Sequence, residues 1–195
     1  MKQNQDEEIE VRFLEVDKDA LVAQLQARTD TEDMGGTLLT EAIFYDKALT
    51  WQREGKEFLR LRSYDNEKTV LTYKKIEHSL RGTTEIESTV GDFAAISRLL
   101  SVIGYPMYRT QEKKRHTFHM KLPSGGVVML DIDTWPTIPT YLEIEGTSEE
   151  DVKKAAEMLG FSWEQAKFRG ARAVIEEVYG VPVGHLKVFT FAEQK

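Results

Sequence analysis

Cysteine is absent from the 195 residues, which excludes disulfides, a thiolate nucleophile and thiolate zinc sites. Basic residues are in the minority, with 26 Lys and Arg against 33 Asp and Glu and a formal net charge of −7. That balance argues against broad electrostatic binding to nucleic acid or to an anionic membrane, although it is compatible with a local basic cavity. Long apolar runs are missing as well. The longest clean one, Val127 to Leu130, is strand-sized and far short of the roughly 20 residues of a membrane-spanning helix. The 4 histidines show no metal-ligand spacing and read as surface or structural residues, and no nucleophilic triad is legible. The opening stretch, Met1 to Glu10, is polar and acidic, unlike a secretory signal. A cytoplasmic protein is the expectation.

What remains is ordinary globular material, 41% hydrophobic and 30% charged, in a chain long enough to bury a core. A single domain over 1–195 is expected, with a C-terminal helical and tail extension from about residue 148. Alternating residues predict strands near Glu7–Leu14, Thr37–Asp46, Phe58–Tyr64, Thr69–Ile76, Gly82–Val90, Tyr105–Leu122, Val127–Asp133 and Tyr141–Gly146. Asp17, Asp92 and Ser148 are placed to cap helices running to about Arg28, Ile103 and Gly160. Phe93, Ile96, Leu99, Leu100 and Ile103 form the apolar stripe of the second. Residues 29–36, ending in Gly35-Gly36, read as a loop, 47–56 as a short helix or plug, 163–179 as a helix interrupted near Gly170, and Leu186–Phe191 as an added edge strand or a partner contact. Strands dominate, so the fold class is α+β, with a barrel or strongly curved sheet.

The informative pattern is a set of charged pairs two residues apart: Glu8/Glu10 followed by Arg12, Arg60/Arg62, Glu85/Glu87, Lys113/Arg115, Asp131/Asp133 and Glu143/Glu145. Residues two apart in a strand point to one side, so each pair presents two charges on one face and an apolar or neutral spacer on the other. One such pair is an ordinary solvated or cross-strand-paired face. Six of them, in strands that also have an apolar face, indicate a charged working surface. Lys74 and Lys75 point oppositely, so only one can join it.

Arg forks and Lys ammonium groups bind phosphate directly, whereas carboxylates reach it only through a cation. Mg²⁺ or Mn²⁺ suits carboxylate oxygens and commonly joins them to substrate phosphates. Positioning and charge neutralisation are most of what phosphoryl transfer needs, and a remaining carboxylate can orient a water or hydroxyl nucleophile.

In order and spacing these pairs, together with Tyr141-Leu142-Glu143-Ile144-Glu145, resemble the CYTH superfamily, or triphosphate tunnel metalloenzymes. The resemblance spans roughly residues 7–180. It implies a closed eight-stranded antiparallel β-barrel enclosing a tunnel, helices packed outside, and a divalent cation, Mg²⁺ or Mn²⁺. It also implies roles. Glu8, Glu10, Glu143, Glu145 and one of Asp131 and Asp133 hold the metal. Arg12, Arg60, Arg62, Lys74, Lys113 and Arg115 hold the phosphates. Glu8, Glu10, Arg12, Glu85 and Glu87 form the catalytic set. The family opening is E-x-E-x-K, and Arg12 stands at its lysine, which alters donor shape while keeping charge.

Three functions are expected: hydrolysis of a small triphosphate; on the same scaffold, an adenylyl cyclase making cyclic AMP and pyrophosphate; or, from a different class, a module that binds polyphosphate or nucleotides without turnover. The partner expected is a small-molecule triphosphate, with no nucleic acid and no membrane, and a homodimer is left open.

Overall fold

The computed structural model describes residues 9–78 and 81–194, with the backbone alone at 76–78, 81–83, 193 and 194. The strands are β1 (Ile9–Phe13), β2 (Thr31–Phe44), β3 (Glu57–Tyr64), β4 (Lys68–His78), β5 (Arg81–Val90), β6 (Met107–Lys121), β7 (Val127–Thr134), β8 (Tyr141–Gly146) and the short β9 (Val188–Phe189). The helices are α1 (Lys18–Gln26), α2 (Thr50–Glu54), α3 (Phe93–Val102), α4 (Glu149–Met158) and α5 (Ala171–Tyr179). Hydrogen-bonded order is β1-β8-β7-β6-β2-β3-β4-β5, with β9 beside β6. Strand β9 runs parallel to β6, and the pairs β1–β8, β8–β7, β7–β6, β2–β3, β3–β4 and β4–β5 are antiparallel. This is an α+β chain, but the closed barrel does not follow. The order ends at β1 and β5, and among the described residues neither is paired with the other.

The chain divides into two compact units, Met1–Gly36 with Lys114–Val181 and Thr37–Lys113 with Pro182–Lys195. Two of the three boundaries fall inside β2 and β6, the two longest strands, and the third follows α5.

In the first unit, β1, β8, β7 and the second half of β6 turn alternate residues inward. Val11, Phe13, Phe118, Leu130, Ile132, Leu142 and Ile144 are buried on that face. Leu21 and Leu25 of α1 and Val152, Ala155 and Ala156 of α4 close the core over them. Each large side chain removed from water in this way contributes about 1.5–3 kcal/mol. Both helices start where the sequence predicts. Asp17 accepts from the Ala20 amide at 3.0 Å and Ser148 from the Asp151 amide at 3.1 Å, satisfying amides that have no partner within the helix. The opposite face of these strands carries the charges.

The second unit repeats this logic. Ala42, Phe44 and Leu61 are buried with Leu100 of α3, and Phe93 and Ile96 pack beside them. The expected stripe of α3 is only partly used: Leu99 and Ile103 are 53% and 59% exposed. Leu99 lies on the flank of the helix, about 100° from Leu100, whereas Ile103 continues the Phe93–Ile96–Leu100 line just past the last helical residue. The tail meets expectation with a shorter strand, β9, which pairs parallel to β6 through Thr110–Val188 and Gln111–Phe189.

Two local expectations are corrected. Residues 31–36 are not a loop but the start of β2. Glu32 to Gly36 are exposed, so no apolar face marks the strand, and Gly35 takes φ +87° within it, which only glycine adopts without strain. Residues 163–179 break at Gly170 as expected, but the part before the break is helical only in its first turn. A 3-10 turn at Trp163–Gln165 leads to extended chain, and α5 begins at Ala171. Lys167 gives its backbone to β1 there, with Arg12 N to Lys167 O at 3.0 Å and Lys167 N to Arg12 O at 2.9 Å. Among the described residues no helix is long and apolar enough to cross a membrane.

Candidate active site

Each unit carries its own cluster of charge. In the first, register brings Glu10 opposite Glu145, Arg12 opposite Glu143, Asp131 opposite Glu143, Asp133 opposite Tyr141 and Arg115 opposite Asp133. Glu8 lies outside the described residues. One oxygen from each of Glu10, Glu143 and Glu145 lies within 4.8 Å of the others. Like charges set directly across a ladder repel. Three hard carboxylate donors at this spacing fit a divalent cation of the Mg²⁺ or Mn²⁺ type, so this chain's donor set suits the metal that the sequence implies.

The two arginines of this unit sit among the carboxylates. Arg115 forks onto Asp133, with Nε to Oδ1 at 2.7 Å and Nη2 to Oδ2 at 2.6 Å, reaches Glu143 at 3.3 Å and also pairs with Asp131. Arg12 lies 3.1 Å from Glu10 and 2.6 Å from Glu143. Burial pulls both guanidiniums down, but their carboxylate neighbours win and hold them above the ordinary arginine value. Asp131 goes the other way. Burial lifts its carboxyl above the usual range, Asp133 and Glu143 add to the rise, and Arg115 opposes it. Thr117 donates to one oxygen of Asp131 at 2.5 Å. Tyr141, buried and beside Asp133 and Glu143, is pushed well above the usual phenol value and accepts a hydrogen bond from Trp135 at 2.9 Å. Among the described residues of this unit, five carboxylates (Glu10, Asp131, Asp133, Glu143, Glu145) and two guanidiniums share this charged side, so acid outnumbers base there.

In the second unit the balance reverses. Register aligns Glu41 with Arg62, Arg60 with Thr72, Thr72 with Glu87 and Lys74 with Glu85. Arg62 Nε donates to Glu41 at 2.6 Å and Gln111 donates to the other Glu41 oxygen at 2.5 Å. Arg60 lies 3.2 Å from Glu85, 3.5 Å from Glu87 and 4.0 Å from Glu41. Lys74 pairs with Glu85 at 2.9 Å, so it is Lys74, not Lys75, that joins the charged side. Arg109 and Lys113 are buried on β6, Arg109 donating to Gln111 at 2.9 Å. Burial, and then the like charge of Arg62, pull Arg60 below its ordinary value. Burial pushes Glu41 up, but Arg62, Arg60 and Lys113 drive it far below the carboxylate range. Glu85 is likewise held low, burial being outweighed by Lys74 and Arg60. Among the described residues of this unit, five cations (Arg60, Arg62, Lys74, Arg109, Lys113) and three carboxylates (Glu41, Glu85, Glu87) share this charged side, so base outnumbers acid there.

The CYTH domain family matches residues 6–168. This chain belongs to that family.

A comparison with curated proteins finds no match. Solved structures share the CYTH chain's fold at low identity. A conserved hypothetical protein from Pyrococcus furiosus is 22% identical, with 84% of this chain and 97% of that one covered and a TM-score of 0.63. A Vibrio parahaemolyticus protein named as a candidate adenylate cyclase is 14% identical, with 87% and 97% covered and a TM-score of 0.71. HpAC1 from Hippeastrum, described as having a dominant triphosphatase activity, is 18% identical, with 92% and 99% covered and a TM-score of 0.60.

Most charged positions expected from spacing lie on the charged side of their unit's strands. Sequence reasoning missed Glu41 and Gln111, each buried at the centre of the second unit's network. Glu41 stands alone between Leu39 and Ile43, without a charged residue two positions away. Arg12 and Arg115, expected with the phosphate-binding cations, lie among the carboxylates.

Proposed function

We propose that this CYTH chain hydrolyses a small triphosphate in a metal-dependent reaction. The carrying observation is the opposed charge of the two units: surplus carboxylate in one and surplus guanidinium and ammonium in the other. Buried charge of one sign is costly unless something compensates it. A divalent cation compensates the first surface, and a polyphosphate compensates the second. The family includes triphosphatases and adenylyl cyclases, and both chemistries begin from a triphosphate.

Arg60, Arg62, Lys74 and Lys113 are the residues proposed to grip the phosphates. Glu41, Glu85 and Glu87 hold Arg60, Arg62 and Lys74 in place through the contacts described above, which limits the reorganisation needed when an anion arrives. Glu10, Glu143 and Glu145 would hold the cation, with Glu8 as the further family position. A cation held there would supply positive charge and a water of lowered pKa. Hydrolysis would add a water oxygen to the terminal phosphorus as its bond to the bridging oxygen breaks, giving orthophosphate and the shortened phosphate chain.

A product assay over tripolyphosphate, ATP and thiamine triphosphate with Mg²⁺ or Mn²⁺ tests this. Orthophosphate release is the expected result. Cyclic AMP and pyrophosphate from ATP would instead establish a cyclase. Tight binding without any product would establish a binding module.

A further inference from the structure

Arg12 is only 3% exposed, and its side chain joins three parts of the first unit. Nη2 sits 3.1 Å from Glu10 and 2.6 Å from Glu143. Nη1 donates to the Arg169 carbonyl at 2.6 Å, across 157 residues of sequence. Its backbone is paired in both directions with Lys167. Both terminal nitrogens are therefore engaged inside the protein, and Nε is buried. Two of the three carboxylates that converge as a cation site, Glu10 and Glu143, are the same two that the guanidinium holds.

We infer that Arg12 is a fixed internal cation of the carboxylate cluster, setting how tightly a divalent ion binds there, and not a phosphate ligand. This rests on reading Glu10, Glu143 and Glu145 as the cation site. The guanidinium neutralises part of the charge of Glu10 and Glu143 and repels an incoming cation across a few ångströms. It also holds both side chains through Nη2 while Nη1 grips the Arg169 carbonyl, a planar spread that a lysine cannot reproduce. The cluster is thereby kept folded when no ion is bound, at the expense of affinity for one. Arg12 is thus a positioning and affinity-setting residue, tied by its other nitrogen to the segment that leads into α5.

Mn²⁺ titration of the substrate-free protein by electron paramagnetic resonance, paired with thermal melts with and without Mn²⁺, tests this directly. Arg12→Met removes the charge at similar length. It is expected to lower the ion-free melting temperature and to tighten Mn²⁺ binding about ten- to a hundredfold, so that Mn²⁺ raises its melting temperature more than that of the unsubstituted protein. Arg12→Lys keeps the charge but cannot span Glu10, Glu143 and the Arg169 carbonyl together. It is expected to fold without metal and to bind Mn²⁺ with intermediate affinity, which preserves the test if the methionine variant does not fold. A purely structural role would lower both melting temperatures equally and leave Mn²⁺ affinity unchanged. Unchanged or weaker Mn²⁺ binding in the variants overturns the inference about Arg12 alone. If the unsubstituted protein binds no Mn²⁺, the cation-site reading fails and this inference fails with it.

Discussion

Glu41→Ala is expected to destabilise the protein by about 3–5 kcal/mol, the usual range when one partner of a buried charge network is removed and the others stay. Glu41 is 2% exposed and receives hydrogen bonds from Arg62 and Gln111, with Arg60 at 4.0 Å. Its loss leaves the arginines facing each other with less compensation. Urea denaturation at neutral pH gives the magnitude. The isosteric Glu41→Gln should cost less, because an amide oxygen can still accept from Arg62. The sign with pH follows from the depressed carboxyl of Glu41. Its stabilisation is complete above the unfolded carboxylate value of about 4.3 and is lost as pH falls towards the lower folded value. The gap between the unsubstituted protein and Glu41→Gln should therefore be constant near neutrality and narrow in acid. Tripolyphosphate should restore part of the lost stability, because an anion supplies the charge that Glu41 supplied. Equal loss with and without the anion would mean that this cluster does not bind phosphate.

Glu145→Gln should lower metal-dependent turnover by about three orders of magnitude, corresponding to the several kcal/mol that a catalytic cation supplies. Glu145 is a cleaner choice than Glu143. Glu143 is held by both Arg12 and Arg115, so its replacement would also unpair buried arginines. Glu145 is half-buried opposite Glu10, and its replacement leaves the Arg12 and Arg115 contacts of Glu143 in place. Glutamine keeps the shape and an acceptor oxygen of the side chain, so the variant is expected to fold in the absence of divalent ions. Steady-state rates across Mg²⁺ and Mn²⁺ concentrations, alongside thermal melts, check both halves. Full activity at ordinary metal concentration would remove Glu145 from the cation site.

How much of this was legible in the sequence depended on periodicity. Arg60/Arg62 and Glu143/Glu145 are separated by single leucine and isoleucine spacers, so a period of two announces both the strand and its charged side. Tyr141–Gly146 was placed to the residue for that reason. Glu41 was invisible because its same-side neighbours, Leu39 and Ile43, are themselves buried and apolar. The beginning of β2 was hidden by Gly35-Gly36 and by its solvent-exposed residues, which carry no apolar face to read. The destination of a long side chain is another matter. Alternation places Arg12 on the charged side, yet whether its fork meets a phosphate or the Arg169 carbonyl depends on a segment 157 residues away. Closure of the barrel was likewise a matter of pairing between the first and fifth strands, which local patterns do not encode.

The most direct test of the central claim is the rate of orthophosphate release from tripolyphosphate, measured with Mg²⁺ or Mn²⁺ and again after chelation by EDTA. Turnover that depends on the added cation and falls to background with EDTA is the expected result. Undiminished turnover in EDTA, or no turnover at any cation concentration while tripolyphosphate still binds, would contradict it.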